Sequence, residues 1–86
     1  MVNSVYPVPD LESLGQLIRD ARREQGLTQA QAAELCAVST RLWNETELGK
    51  RHQVGLDTVF RMLQTLGLDL AVTTRRPGGR STESVA

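Results

Sequence analysis

The chain has 86 residues, and its ten basic and ten acidic side chains cancel to a formal net charge of zero. A domain of this length buries only about 60 to 65% of the surface that its unfolded chain exposes, so its stability margin is small and a second subunit would help. One cysteine, Cys36, excludes an internal disulfide. The sequence starts without a secretory-signal pattern and has no apolar run of the roughly 18 to 20 residues that cross a bilayer. We therefore expect one small cytoplasmic domain with no membrane segment.

The charges are unevenly distributed, and this leaves room for a basic face. Residues 10–34 hold five acidic and three basic side chains, so this part is net acidic by two. Basic residues dominate later, at Arg41, Lys50, Arg51, Arg61, Arg75, Arg76 and Arg80. The chain has one histidine and no paired-carboxylate or glycine-rich phosphate motif in a suitable context, so we expect no enzyme activity, no cofactor and no metal site.

The N-terminal part predicts an arm followed by a helix. Residues 1–9 contain two prolines and no helical period, which favours an extended arm. Asp10 is a suitable N-cap, and apolar residues then recur at three- and four-residue steps until Gly26 provides a stop. These apolar residues are Leu11, Leu14, Leu17, Ile18 and Ala21.

Two short helices are predicted next, separated by a tight turn. Thr28 can cap a second helix that runs to about Cys36. After a turn at Ala37 and Val38, Ser39 can cap a third helix that runs to about Leu48, with Gly49 closing it. An interval of only a few residues between the helices is what a helix-turn-helix unit requires.

The C-terminal part predicts a fourth helix and a short strand. Leu56, Val59, Phe60, Leu63 and Leu66 form an amphipathic period that Gly67 ends. Apolar and polar residues then alternate from Leu68 through Leu70 and Val72 to Thr73, as in a half-buried strand. Because a single strand is not stable alone, we predict a homodimer in which residues 68–74 of two copies pair across a two-fold axis. Residues 75–86 have little to bury, and we expect a disordered tail.

The helical region carries a spaced motif at residues 14–67. Its elements are Leu14-Gly15, Ile18-Arg19, Leu27-Thr28-Gln29, Ala33, Val38-Ser39, Glu47 and Gly49-Lys50-Arg51. This motif resembles the Xre/Cro-type helix-turn-helix family. Within the family, the arm with its tyrosine, the four helices, the strand and the polar tail are most similar to the HipB antitoxins.

The resemblance implies both a fold and partners. The expected fold is an all-α, lambda-repressor-like domain of four to five helices at residues 10–67, with the C-terminal β-strand pairing across a homodimer. The expected function is a HipB-like repressor that binds double-stranded operator DNA as a dimer and neutralises a HipA-like serine/threonine kinase toxin, which implies association with the nucleoid. The family often has glycine where this chain has Ala37, and a left-handed alanine there would cost roughly 1 kcal/mol.

The third helix supplies the predicted base-reading residues. If Val38, Trp43 and Thr46 face the core, the remaining polar side chains point outward at the start of a recognition helix. Arg41 suits guanine, Asn44 suits adenine and Glu45 suits cytosine. The predicted base-reading set is Ser39, Thr40, Arg41, Asn44 and Glu45.

Four further residues are predicted to contact phosphates. The family places Gln29 near a phosphate, and Thr28, Lys50 and Arg51 flank the two short helices. Three of the predicted DNA contacts also have structural alternatives: Thr28 serves first as a helix cap, and Gln29 and Arg41 are also compatible with solvated surface. We expect further residues to support structure, with Cys36 and Trp43 in the core and Glu47 paired with a basic residue of helix one such as Arg22.

Two alternative functions remain open. The chain could be a stand-alone Xre-type transcriptional regulator without a toxin partner, or a module that binds another protein. DNA binding demands a steep dependence on salt concentration, whereas protein docking does not, so a salt titration separates these hypotheses.

Overall fold

The computed structural model describes residues 5–51 and 53–74. Four helices make up the regular structure of this part: α1 (Leu11–Glu24), α2 (Gln29–Cys36), α3 (Thr40–Glu47) and α4 (Leu56–Thr65). Helix α1 packs against α3, and α2 packs against both α3 and α4. The helical part of the predicted fold is therefore confirmed. None of the described helices combines the length and apolar character of a membrane span.

Side chains cap the first three helices where the sequence predicts. The Asp10 carboxylate accepts from Ser13 N at 2.8 Å, and the Ser39 hydroxyl accepts from Leu42 N at 3.0 Å. Thr28 takes part in a reciprocal capping box, because its hydroxyl accepts from Gln31 N at 3.0 Å while the Gln31 side chain accepts from Thr28 N at 2.9 Å. These local bonds satisfy helix N–H groups that have no partner within the helix.

The core lies between the four helices. Trp43, Ile18 and Met62 are its largest fully buried side chains, and the predicted burial of Cys36 and Trp43 is confirmed. The other buried apolar residues are Leu14, Ala32, Ala33, Val59, Leu63 and Leu66. The apolar stripe of α4 is wider than the face that the other helices cover, since Leu56 and Phe60 remain exposed.

Two backbone positions determine how α3 joins the other helices. A Cβ at Gly15 would overlap the carbonyl oxygens of Thr46 and Glu47, so glycine lets α1 approach the end of α3. Ala37, at the end of α2, has a left-handed backbone with φ of 62°. The expected left-handed turn is therefore present although the residue is not glycine.

The predicted strand does not form within this chain. Residues 68–74 have no regular secondary structure, because an isolated strand is not stable without a second strand beside it. Leu68 packs against the core, whereas Leu70 is 51% exposed and Val72 is 94% exposed. The pairing of this segment between two copies stays a prediction. The predicted tail at residues 75–86 lies outside the described residues, as do residues 1–4 and residue 52.

Candidate nucleic-acid interface

Helix α3 divides into a buried face and an outward face. Trp43 and Thr46 are buried, as the sequence predicts, and Val38 packs partly against the core. On the other side Thr40 is exposed, and the Arg41 side chain is 86% exposed. The first turn of α3 therefore presents polar side chains to solvent directly after a tight turn, which is the geometry that a recognition helix needs.

The remaining outward residues, Asn44 and Glu45, are half-buried and hydrogen-bonded to neighbouring side chains. Their roles in base reading stay predictions. Ser39 is exposed and its hydroxyl oxygen accepts one hydrogen bond as the cap of α3, which leaves a second lone pair, and among the described residues its O–H donates to no protein group.

Glu47 ties three helices together beneath this face. Its carboxylate accepts from Arg22 Nε at 2.5 Å, from Trp43 Nε1 at 2.6 Å and from Gln29 Nε2 at 2.9 Å. Arg22 also donates to the carbonyl oxygen of Leu27 at 2.8 Å, at the entry to α2. The predicted pairing of Glu47 with Arg22 is therefore confirmed, and it fixes α3 relative to α1 and α2.

The pKa of Glu47 is lowered by its hydrogen bonds more than it is raised by burial. Burial by itself would raise the pKa of the Glu47 carboxyl, but the hydrogen bonds from Arg22, Gln29 and Trp43 hold that pKa below its ordinary value. The hydrogen bond to Glu47 likewise raises the pKa of the Arg22 guanidinium. Both groups are therefore charged at neutral pH.

Gln29 links the capped start of α2 to the outward face of α3. Besides its bond to Glu47, Gln29 Nε2 donates to Asn44 Oδ1 at 3.1 Å. Both hydrogens of the Gln29 amide are thus used inside the protein. A phosphate contact by this side chain stays a prediction, and in this geometry it would require one of those bonds to open. The sequence pattern does not reveal the link, because it depends on how α2 and α3 pack.

Two arginines converge on Glu45. Arg41 Nε lies 3.1 Å from Glu45 Oε2, and Arg51 Nη1 lies 2.8 Å from Glu45 Oε1. The hydrogen bonds from Arg51 and Arg41 lower the pKa of the Glu45 carboxyl. The four-residue spacing of Arg41 and Glu45 signals such a pair on a helix. The bond to Arg51, which follows the helix, has no comparable sequence signal.

The predicted phosphate contacts surround the start of α2 and the end of α3. Thr28 is exposed and its hydroxyl serves the capping box, while Lys50 and Arg51 are exposed just beyond α3. With Arg41 they make three cations against two carboxylates, Glu34 and Glu45, because Glu47 is already neutralised by Arg22. With Arg22 counted against Glu47, residues 28–51 carry a net excess of one positive charge although the whole chain is neutral. Within residues 5–51 and 53–74, no cluster of His, Cys, Asp or Glu side chains could hold a metal ion.

Comparisons with known proteins agree with this geometry. A family model described as a helix-turn-helix domain matches residues 13–75. No curated protein shows significant sequence similarity to the chain. Among solved structures, a complex of a HipB variant with an O2 20mer gives a TM-score of 0.74 at 22% identity and covers 85% of this chain and 100% of that one.

Two further structures are similar. A HipB–O4 20mer complex gives a TM-score of 0.73 at 19% identity, covering 84% of this chain and 100% of that one. A HipA–HipB–O2–O3 complex gives 0.69 at 20% identity, covering 87% of this chain and 100% of that one. Similarity at these identities shows a shared fold.

Proposed function

The chain belongs to the helix-turn-helix domain family, and from this premise we propose that it is a sequence-specific transcriptional repressor that binds operator DNA as a dimer. The observation that carries the proposal is the exposed first turn of α3 behind the tight turn at Ala37. Placed in the major groove, this turn brings Thr40 and Arg41 to base edges, with Ser39 at its start. Asn44, held by Gln29, lies one turn further along the helix.

Phosphate contacts fix the position of such a helix on the duplex. Lys50 and Arg51 are the cations that follow α3, and the N-terminus of α2 offers backbone N–H groups beside Thr28 and Gln29. These contacts carry no sequence information, whereas Arg41 can donate two hydrogen bonds to guanine. We therefore expect α3 to contact the bases, and Lys50, Arg51 and the N-terminus of α2 to contact the phosphates.

The test is a titration with DNA at several salt concentrations. The duplex upstream of the gene is compared with an unrelated duplex of equal length. The proposal predicts tighter binding of the upstream duplex and a linear fall of log K with log salt concentration. Binding that ignores salt, or that does not distinguish the two duplexes, contradicts it and favours the protein-interaction alternative.

The dimer is proposed to form through residues 68–74. Leu70 and Val72 are apolar and exposed in the single chain, and Leu68 anchors the segment on the core. Pairing of two such segments would form ladder hydrogen bonds between the two copies and bury these side chains. We expect Leu70→Asp to shift the molar mass in light scattering from dimer to monomer. Ala71→Asp is the matched control, because in a strand the side chain of Ala71 lies on the face opposite to Leu70 and Val72, and this variant should remain dimeric. A wild-type protein that is monomeric contradicts the proposed dimer.

A kinase-like toxin is the proposed second partner. The support is the structural similarity of this chain to a HipA–HipB–O2–O3 complex. We expect the kinase-like protein to dock on a surface away from α3. The neighbouring open reading frame should then encode a kinase-like protein. Co-expression of the two should restore growth that the kinase-like protein alone arrests, and the two proteins should co-elute. A stand-alone regulator would give neither result.

A further inference from the structure

Glu45 lies between two arginines on the surface that we propose faces DNA. Its two carboxylate oxygens are divided between them, with Oε2 bonded to Arg41 Nε at 3.1 Å and Oε1 bonded to Arg51 Nη1 at 2.8 Å. The Glu45 side chain is 27% exposed, compared with 86% for Arg41. The carboxylate is thus a partly sheltered anchor, and the guanidinium of Arg41 extends beyond it.

The atoms that form these bonds matter for reading bases. Glu45 engages Arg41 through Nε, and in the described part of the chain no hydrogen bond joins the Nη atoms of Arg41 to another protein group. A bidentate contact to guanine O6 and N7 needs two donors of the guanidinium fork. The two Nη atoms can supply these donors while Nε stays bonded to Glu45, so the carboxylate can orient Arg41 during the contact.

The negative charge of Glu45 weakens non-specific binding to DNA. The hydrogen bonds from Arg51 and Arg41 lower the pKa of this carboxyl, so it is ionised at neutral pH. An anion on this surface offsets one of the two guanidinium charges and repels phosphates. A correctly positioned guanine edge offsets this repulsion through two directed hydrogen bonds to Arg41. A phosphate in a non-specific complex does not form both of these bonds.

We propose that Glu45 is a specificity-determining residue that acts by holding Arg41 and Arg51 and by weakening their attraction to phosphates, rather than by contacting a base itself. The inference rests on the proposed DNA-binding function. It assigns Glu45 a positioning role in place of the cytosine contact that its residue type and location on α3 suggest.

The experiment compares wild type with Glu45→Gln, which keeps the shape of the side chain but removes its charge. Glu24→Gln is the matched control, because Glu24 is an exposed glutamate at the end of α1. Wild type first selects its tightest duplex from a randomised pool. Affinities of the three proteins are then measured at several salt concentrations for that duplex, for versions with each base pair changed, and for a scrambled duplex.

Glu45→Gln should bind the scrambled duplex about 5- to 10-fold more tightly at 0.1 M salt and steepen the salt slope by about one unit, as one added phosphate contact does. Its discrimination at the guanine read by Arg41 should fall, while Glu24→Gln behaves as wild type. In an Arg41→Ala background, Glu45→Gln should cause no further loss of discrimination, because the arginine that it orients is absent.

Three results would overturn the inference. If Glu45→Gln loses only the preference for cytosine at one position of the duplex, Glu45 contacts that base directly. A Glu45→Gln protein that equals both wild type and Glu24→Gln would leave Glu45 without a role in specificity. If wild type selects no duplex from the pool and shows no salt-dependent binding, the proposed function fails, and this outcome differs from the other two because no variant is needed to see it.

Discussion

Arg22 in α1 and Glu47 at the end of α3 form a buried ion pair, with Arg22 Nε 2.5 Å from Glu47 Oε2. The pair does more than join two helices, because the same carboxylate accepts from Trp43 in the core and from Gln29 at the start of α2. Gln29 in turn bonds Asn44 on the outward face of α3. The ion pair and the proposed reading surface therefore share one hydrogen-bond network.

Removing one charge of this pair should destabilise the fold strongly. Glu47→Gln keeps the size of the side chain but leaves the Arg22 guanidinium buried without a counter-charge. Breaking a buried pair in this way costs about 3–5 kcal/mol, a large share of the stability of a small domain. We expect a matching drop in the free energy of unfolding measured by urea denaturation, or a chain that is unfolded without denaturant.

Two further variants make this result interpretable. Glu24→Gln changes an exposed glutamate and should alter the free energy of unfolding by no more than about 0.5 kcal/mol. The double variant Arg22→Met, Glu47→Gln removes both charges together and keeps an acceptor oxygen for Trp43 and Gln29, so it should recover much of the stability lost in Glu47→Gln alone. A single variant as stable as wild type would contradict the central role of the pair.

The same pair predicts how stability depends on pH. Although burial alone would raise it, the pKa of Glu47 is lowered overall by hydrogen bonds from Arg22, Gln29 and Trp43. A carboxyl with a lower pKa in the folded state contributes stability that is fully present above its unfolded pKa and is lost as the pH falls through the folded pKa. We therefore expect the urea midpoint of wild type to decline on the acid side of the ordinary glutamate range.

The double variant Arg22→Met, Glu47→Gln isolates this contribution. Asp10 and Glu45 also have lowered pKa values, and both remain in the variant, so their part of the pH dependence cancels in the difference. As the pH falls, the free energy of unfolding of wild type should decrease more than that of the double variant. A difference that does not change with pH would show that Glu47 titrates with the same pKa in both states.

Local signals predicted much of this fold, and packing decided the rest. The caps at Asp10, Thr28 and Ser39 depend on one side chain and a nearby N–H, so the sequence reveals them. Periodicity identified the apolar side of α4, but it does not say how much of that side is covered, and Leu56 and Phe60 stay exposed.

The candidate site divides in the same way. The spacing of residues on α3 correctly predicted the burial of Trp43 and Thr46 and the exposure of Arg41. The bond between Gln29 and Asn44 depends on the distance between α2 and α3, which no local pattern contains. A strand at residues 68–74 needs a second chain to pair with. The alternating pattern therefore predicts only that this segment is able to form a strand, and not that it does so in a single chain.

Replacing Ala37 with glycine should stabilise the turn between α2 and α3. The left-handed backbone at Ala37, with φ of 62°, costs a residue with a Cβ about 1–2 kcal/mol. Glycine removes this strain but adds about 0.4–1 kcal/mol of conformational freedom to the unfolded chain, so the difference is a net gain of up to about 1.6 kcal/mol, or about 0.8 kcal/mol at the midpoints of both ranges.

Ala30→Gly is the matched control for this change. Ala30 is exposed inside α2, where glycine should cost about 0.5–1 kcal/mol. Thermal or urea unfolding should therefore shift in opposite directions for the two variants. If both lower the stability, the turn at Ala37 does not hold the left-handed conformation in solution.

Arg41 and Lys50 should affect DNA binding in different ways, because only one of them lies at the start of α3. Arg41→Ala removes the proposed guanine contact, which should cost about 1–3 kcal/mol for the selected duplex and relax the preference at one base pair. Lys50→Ala removes a cation beyond the helix, so it should weaken binding to all duplexes alike and reduce the salt slope by about one unit. Affinities for the selected duplex and its single-base variants, measured over a range of salt concentrations, separate the two effects. Equal loss across all sequences in Arg41→Ala would assign Arg41 to the phosphate frame, and base reading would then fall to Asn44 and Thr40.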